Sequence, residues 1–208
     1  MNEITRRTLI AGSAGGAAML AVGGITKYAF GETPLLRPPG GQDEDHFIAA
    51  CIKCDRCRSI CPLNCIAVAN MNDGLLNART PKLDYRIGYC DFCNLCIECC
   101  PTGALRSFDP EQEWIAPAVI DRDLCIAHQP EGVGCRRCID GCPFEAIRAD
   151  DFGRPVVEVE KCNGCGYCEY ICPSNSYRVF TGTRKRGITV QAGNASRDSV
   201  AVLGGGAT

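Results

Sequence analysis

Aromatic side chains make up only 7% of the 208 residues, with a single Trp, and that scarcity excludes a large conventional apolar core. Only two histidines occur, His46 and His128. His46 has no second His or carboxylate at ligand spacing, so it reads as a surface residue. No glycine-rich phosphate loop follows a strand-like run, no nucleophile elbow is present, and no metal site with an open position is visible, so substrate chemistry has no recognisable machinery. Excess charge is missing too: 22 Lys and Arg against 24 Asp and Glu leave a formal −2. The apolar run Leu9 to Ile25 is full of Ala and Gly, and it is shorter and less apolar than the ~20 residues of a usual spanning helix.

Cysteine is what the chain has in abundance, 18 residues of 208. Four runs share one plan: Cys51, Cys54, Cys57 and Cys61 before Pro62; Cys90, Cys93, Cys96 and Cys100 before Pro101; Cys125, Cys135, Cys138 and Cys142 before Pro143; and Cys162, Cys165, Cys168 and Cys172 before Pro173. Three closely stepped thiols on a loop wrap three corners of a cubane iron-sulfur cluster, and the fourth, on the following helix, reaches a second cluster. Gly164 and Gly166 suit the partly left-handed backbone that turns amide N–H groups towards cluster sulfur. The sixteen cysteines of the runs are therefore the candidate ligands of four 4Fe-4S clusters.

Other uses of cysteine fit less well. A disulfide scaffold does not repeat tetrads ending in Cys-Pro, and structural zinc favours two pairs separated by a long knuckle. No run lacks the cysteine whose loss would signal a 3Fe-4S centre. In the second run Cys100 is taken as the ligand instead of adjacent Cys99, because Cys100 precedes the proline as in the other runs. Cys65 and Cys99 then read as buried small residues near the clusters. The third run has a wide first gap, Ile126 to Gly134, expected to form a loop over its cluster. His128 lies in it as an alternative ligand, although four cysteines already suffice.

In chain order, residues 1–31 read as a twin-arginine export signal. Arg6 and Arg7 stand before Leu9 and Ile10, and small residues at Ala29 to Gly31 offer a cut. That route suits a protein whose clusters are inserted before export; an uncleaved anchor is the alternative. Residues 32–46 read as a linker, rich in Pro and Gly, with an acidic helical lead from Gln42 to Ala50. A strand is expected near Asn64 to Val68, followed by a connection through Asn72-Asp73-Gly74 to Lys82 to Arg86, and further strands in a return arm at Ala118 to Asp121 and in a hairpin of Ala146 to Arg148 with Pro155 to Val159. A closing strand is expected at Ser176 to Phe180. The fold class is α+β: two bacterial-type two-cluster ferredoxin-like units, 47–114 and 115–181, loop-rich, with 182–208 a disordered tail. Sequential pairing of the runs, first with second and third with fourth, is the adopted reading. The nested alternative joins first with fourth and second with third.

Sixteen thiolates around four cubane cores would add about −8 and take the holoprotein to about −10, which argues against a nucleic-acid partner. On Thr5 to Phe180 the chain resembles the exported four-cluster ferredoxin-type proteins of the NapG/MauM group, associated with periplasmic nitrate reductase and methylamine dehydrogenase systems. The resemblance rests on the arginine pair, on Leu36-Arg37-Pro38-Pro39-Gly40 leading to Phe47-Ile48-Ala49-Ala50-Cys51, on Cys100-Pro101-Thr102-Gly103-Ala104-Leu105, and on the widened third run. The compact Cys93-Asn94-Leu95-Cys96 departs from the group's usual wider spacing. What the resemblance implies is a periplasmic, non-catalytic electron carrier between a quinol-oxidising membrane polyferredoxin and a periplasmic reductase. Alternatives are a permanent iron-sulfur subunit of a molybdenum oxidoreductase and a maturation factor for a redox enzyme.

Overall fold

A computed structural model describes residues 34–130, 134–174 and 186–193. The expected export signal and the expected closing strand at Ser176 to Phe180 lie outside those residues. No helix among the described residues is long and apolar enough to cross a membrane.

Elements are short because the cysteine spacing leaves no room for long ones. Helix α1 (Glu44–Ala50) starts at Asp43, whose carboxylate accepts the His46 amide, and Glu44 and Asp45 suit the positive end of its dipole. The expected acidic helical lead is thus present. Four one-turn helices each carry the third cysteine of a run: α2 (Arg56–Ile60), α3 (Leu95–Glu98), α4 (Arg137–Asp140) and α5 (Tyr167–Tyr170). Single turns of 3-10 helix occur at Met71–Asp73 and Ile126–His128.

Three antiparallel ribbons complete the architecture. Strands β1 (Ile66–Val68) and β2 (Pro81–Leu83) pair with Ile66 opposite Leu83. Strands β4 (Ile147–Ala149) and β5 (Pro155–Val157) form the expected hairpin, with Ile147 opposite Val157. Strand β3 (Ala118–Ile120) does not close a hairpin with the residues before it. Its partner is β6 (Ile188–Val190), with Ala118 opposite Val190. Strand β6 therefore corrects the reading of 182–208 as a tail. It is held by side chains: Glu169 accepts the Val190 amide at 2.8 Å, Ser174 accepts the Gly187 amide at 2.7 Å, and Arg186 donates to the carbonyls of Glu169 and Tyr170. A local pattern of alternating apolar residues too short to be distinctive hid this strand in a polar stretch.

A second correction concerns the linker. Within 34–46, Arg37, Pro38 and Pro39 are buried. The Arg37 guanidinium bonds Thr80 Oγ1 at 2.7 Å, the Pro81 carbonyl at 2.9 Å, Asn77 Oδ1 at 2.7 Å and the Glu44 carboxylate, and it lies 4.6 Å from the Phe47 ring centre. One fork thus ties α1, β2 and the loop before β2, where its planar set of donors matches several acceptors at once. Proline and glycine content suggested an exposed spacer; a buried arginine with enough partners made it core.

From Pro34 onward the chain is one compact unit, so the two halves expected from the sequence fuse. Tyr85, 1% exposed, lies at the seam, and its hydroxyl donates to the Gly164 carbonyl at 2.6 Å. Gly166 has φ +77°, and a Cβ there would sit 2.1 Å from the Tyr85 ring. No side chain fits in that gap. The Cys90 amide donates to the Cys165 carbonyl at 2.8 Å, and Tyr89 packs edge-on to Tyr167 with ring centres 4.7 Å apart.

Arg37→Met is expected to destabilise the fold by about 3 kcal/mol or more, since several buried acceptors lose their donor together. Lysine at 37 recovers little of that. Anaerobic denaturant unfolding followed by far-UV circular dichroism reads the loss; a change below about 1 kcal/mol would contradict the hub role. Tyr85→Phe, which orphans the buried Gly164 carbonyl, is expected to cost about 1–2 kcal/mol in the same measurement.

Candidate metal centres

Each run shapes its thiols through backbone conformation. In the first, second and fourth runs, the residues before and after the second cysteine are both left-handed: Lys53 and Asp55, Phe92 and Asn94, Gly164 and Gly166. Alternating handedness curls the loop so that successive Cys side chains and amides face one centre. The fourth run uses glycine, as expected. The other two hold Lys53 and Phe92 in a conformation that costs about 1–2 kcal/mol without glycine. In the third run Gly134 has φ +53° but Arg136 does not follow, so its wide gap is closed differently. Three of the four Cys-Pro turns share a second left-handed position, three residues after the cysteine: Asn64, Gly103 and Glu145, the fourth lying outside the described residues.

These loops bring the thiols into four cavities. Set A gathers Cys51, Cys54, Cys57 and Cys100. Set B gathers Cys61, Cys90, Cys93 and Cys96, with Cys65 also in its wall. Set C gathers Cys142, Cys162, Cys165 and Cys168. Set D gathers Cys125, Cys135, Cys138 and Cys172. Their free space, mouths included, is about 370, 340, 310 and 350 Å³ respectively, so the four are alike in size. Among the described residues no three His, Cys, Asp or Glu side chains converge on the point a single ion would occupy. The thiols surround a space instead, as a polynuclear centre requires.

Every set therefore takes three thiols from one run and one from its partner. First joins second, and third joins fourth; no cavity mixes the two pairs. The sequence-predicted residues fall as follows. Cys100 lines set A, while the Cys99 thiol points to the Cys96 carbonyl at 3.4 Å. Cys125, despite its long gap, joins Cys135 and Cys138. His128 does not line that cavity, and His46, half-buried, bonds the Gly103 carbonyl at 3.0 Å.

Contacts between the runs link the sets in the order A, B, C, D. Helix α2 packs on α3 between A and B, and α4 on α5 between C and D. Sets B and C meet at the Cys90–Cys165 backbone bond across the seam. Cys54 of A and Cys93 of B are exposed, whereas Cys162, Cys165 and Cys168 of C are buried. Sequence reading missed this order, because the seam depends on Tyr85, whose fit against Gly166 has no motif.

The electrostatics fit a positively charged guest. Burial, the largest cause, pushes one thiol in each set up to about 12: Cys57, Cys96, Cys138 and Cys165. Such thiols ionise readily only when a cation binds them. Backbone amides supply further donors to sulfur. The Ala146 amide donates to Cys142 Sγ at 3.3 Å. At Cys100, burial is outweighed by the amides of Leu105, Thr102 and Ala104, which hold the thiol below its usual range. The Cys90 thiol pushes the neighbouring Cys65 thiol up, and Cys65 in turn holds Cys90 below its usual range.

Residues 50–129 match a family described as a 4Fe-4S dicluster domain, and residues 133–177 match another of the same description. The boundary between them falls in the gap between Cys125 and Cys135, which set D bridges. Among curated proteins, the ferredoxin-type protein NapG of Escherichia coli (strain K12) is 32% identical over 180 residues, covering 77% of this chain and 76% of its own. The methylamine utilization ferredoxin-type protein MauM of Methylobacillus flagellatus is 31% identical over 210 residues, covering 93% and 86%. The ferredoxin-type protein NapF of Escherichia coli (strain K12) is 33% identical over 142 residues, covering 66% and 80%. Two dicluster domains and relatives alike over most of both chains show that this chain belongs to the NapG/MauM family of ferredoxin-type 4Fe-4S proteins.

Proposed function

We propose that the chain is an exported electron carrier that holds four 4Fe-4S clusters, one in each of sets A to D, and has no substrate chemistry of its own. One observation carries the reading: four cavities of similar size, each lined by one complete set of four thiols. The family supplies the cluster type, and the four cavities support a count of four.

A bound 4Fe-4S cluster supplies one-electron chemistry, at a potential set by ligands, amide donors, burial and charge. The chain's own residues do the rest. The sixteen thiolates of the sets hold the clusters, and the Cys-Pro turns aim amides at sulfur, favouring the more negative, reduced state. Walls such as Ile120 and Ile188 at D, and Ile66 and Leu83 at B, keep water from the sulfurs. The Tyr85 seam fixes B against C, so that the two halves act as one conductor.

The ends of the row, A and D, are the places for partners. The family names point to nitrate-reductase-like or methylamine systems, and we place a quinol-linked membrane polyferredoxin and a periplasmic reductase at the two ends. Arg6 and Arg7 support delivery by the twin-arginine machinery to the outer side of the membrane.

Anaerobically purified protein is expected to hold about sixteen iron and about sixteen acid-labile sulfide per chain. Zinc in place of iron, or about eight iron, would overturn the count. Cys172→Ser is expected to perturb the cluster of Cys125, Cys135 and Cys138 and to leave that of Cys162, Cys165 and Cys168 intact. Electron paramagnetic resonance of the reduced protein reads which of the signals changes.

A further inference from the structure

Three Cys-Pro turns share a left-handed residue followed by a buried small one, and in one of them that small residue is a cysteine. Four residues after the cysteine, the second and third runs place Ala104 and Ala146, 2% and 1% exposed. The first run places Cys65 there, 2% exposed. The residues before these three, Asn64, Gly103 and Glu145, have φ of 52°, 66° and 50°, so the position is reached alike in the three turns, and there a thiol stands against a methyl. Alanine fills the position in the other two turns, so packing alone does not demand a thiol.

That thiol lies in the wall of set B. Its Sγ is 3.6 Å from Cys61 Sγ, within hydrogen-bonding reach of one thiol of the set, and Cys90 lines the same cavity. Cys61, Cys90, Cys93 and Cys96 already complete the set without it. What Cys65 adds is an S–H donor facing sulfur that becomes more negative on reduction.

Resting on the function proposed above, we infer that Cys65 is a tuning residue: its S–H donates to the thiolate of Cys61 and raises the reduction potential of the cluster held by set B. The step is a one-electron gain. No bond is made or broken, and the proton stays on Cys65. Stabilising the reduced form moves the potential positive, and loss of the donor moves it negative.

The test is a redox titration of the full-length, anaerobically purified chain, followed by electron paramagnetic resonance, for wild type, Cys65→Ala and Cys65→Ser. Iron and sulfide are measured first. The expected result is unchanged iron in Cys65→Ala, one midpoint potential shifted negative and the others unmoved, with serine, which keeps a donor, lying nearer wild type. Unmoved potentials in Cys65→Ala would overturn the inference. So would the loss of about four iron, since Cys65 would then be a ligand. If the alanine variant does not fold, Cys65→Val, which removes the donor and keeps the volume, decides: a negative shift confined to one cluster supports tuning, and no shift overturns it. Wild-type protein without iron would instead overturn the function on which this rests.

Discussion

The structure depends on one constraint: each set of thiols is completed by a cysteine from another run. Cys100 serves A, Cys61 serves B, Cys142 serves C and Cys172 serves D. A chain with few aromatics and strands of three residues has little else to hold it. Metal–thiolate bonds take the part that a large core plays elsewhere, and binding free energy becomes folding free energy. The exchange also explains why helices α2 to α5 stop after one turn: each has only to carry one thiol into its own cavity and lead the next into its neighbour's.

Fusion of the two halves follows from a second, smaller set of contacts. Tyr85 fills the space that Gly166 leaves open, and Cys90 and Cys165 share a backbone bond. Those two cysteines belong to B and C, so under the proposed function the seam that holds the halves together is also the place where they are electrically joined. Most of set C is buried at that seam, while A and B each expose one cysteine. An exposed cysteine at A, one end of the row, suits the exchange of electrons with another protein there under the proposed function.

The thiol sets were legible in the sequence because cluster geometry restricts spacing severely. Even the choice of Cys100 over Cys99 followed from the proline. Sequential pairing was legible through the hairpin between Cys142 and Cys162, which is too short to let the last two runs separate. What was not legible depended on contacts far apart in the chain. Strand β6 lies sixteen residues beyond Cys172 and is fixed by Glu169, Ser174 and Arg186, none of which forms a pattern. Arg37 stood among prolines and glycines that read as a spacer, and only its acceptors on Asn77, Thr80 and Pro81 reveal it as core. Short elements carry little periodicity, so tertiary partners decide them.

The central claim, four clusters in a row with one borrowed thiol each, is tested most directly by iron-edge anomalous diffraction from crystals of the anaerobically purified protein. The account predicts four compact iron peaks in the order A, B, C, D, with B and C on either side of the Cys90–Cys165 contact. Fewer peaks, single-ion peaks between cysteine pairs, or a cluster held jointly by the first and fourth runs would contradict it.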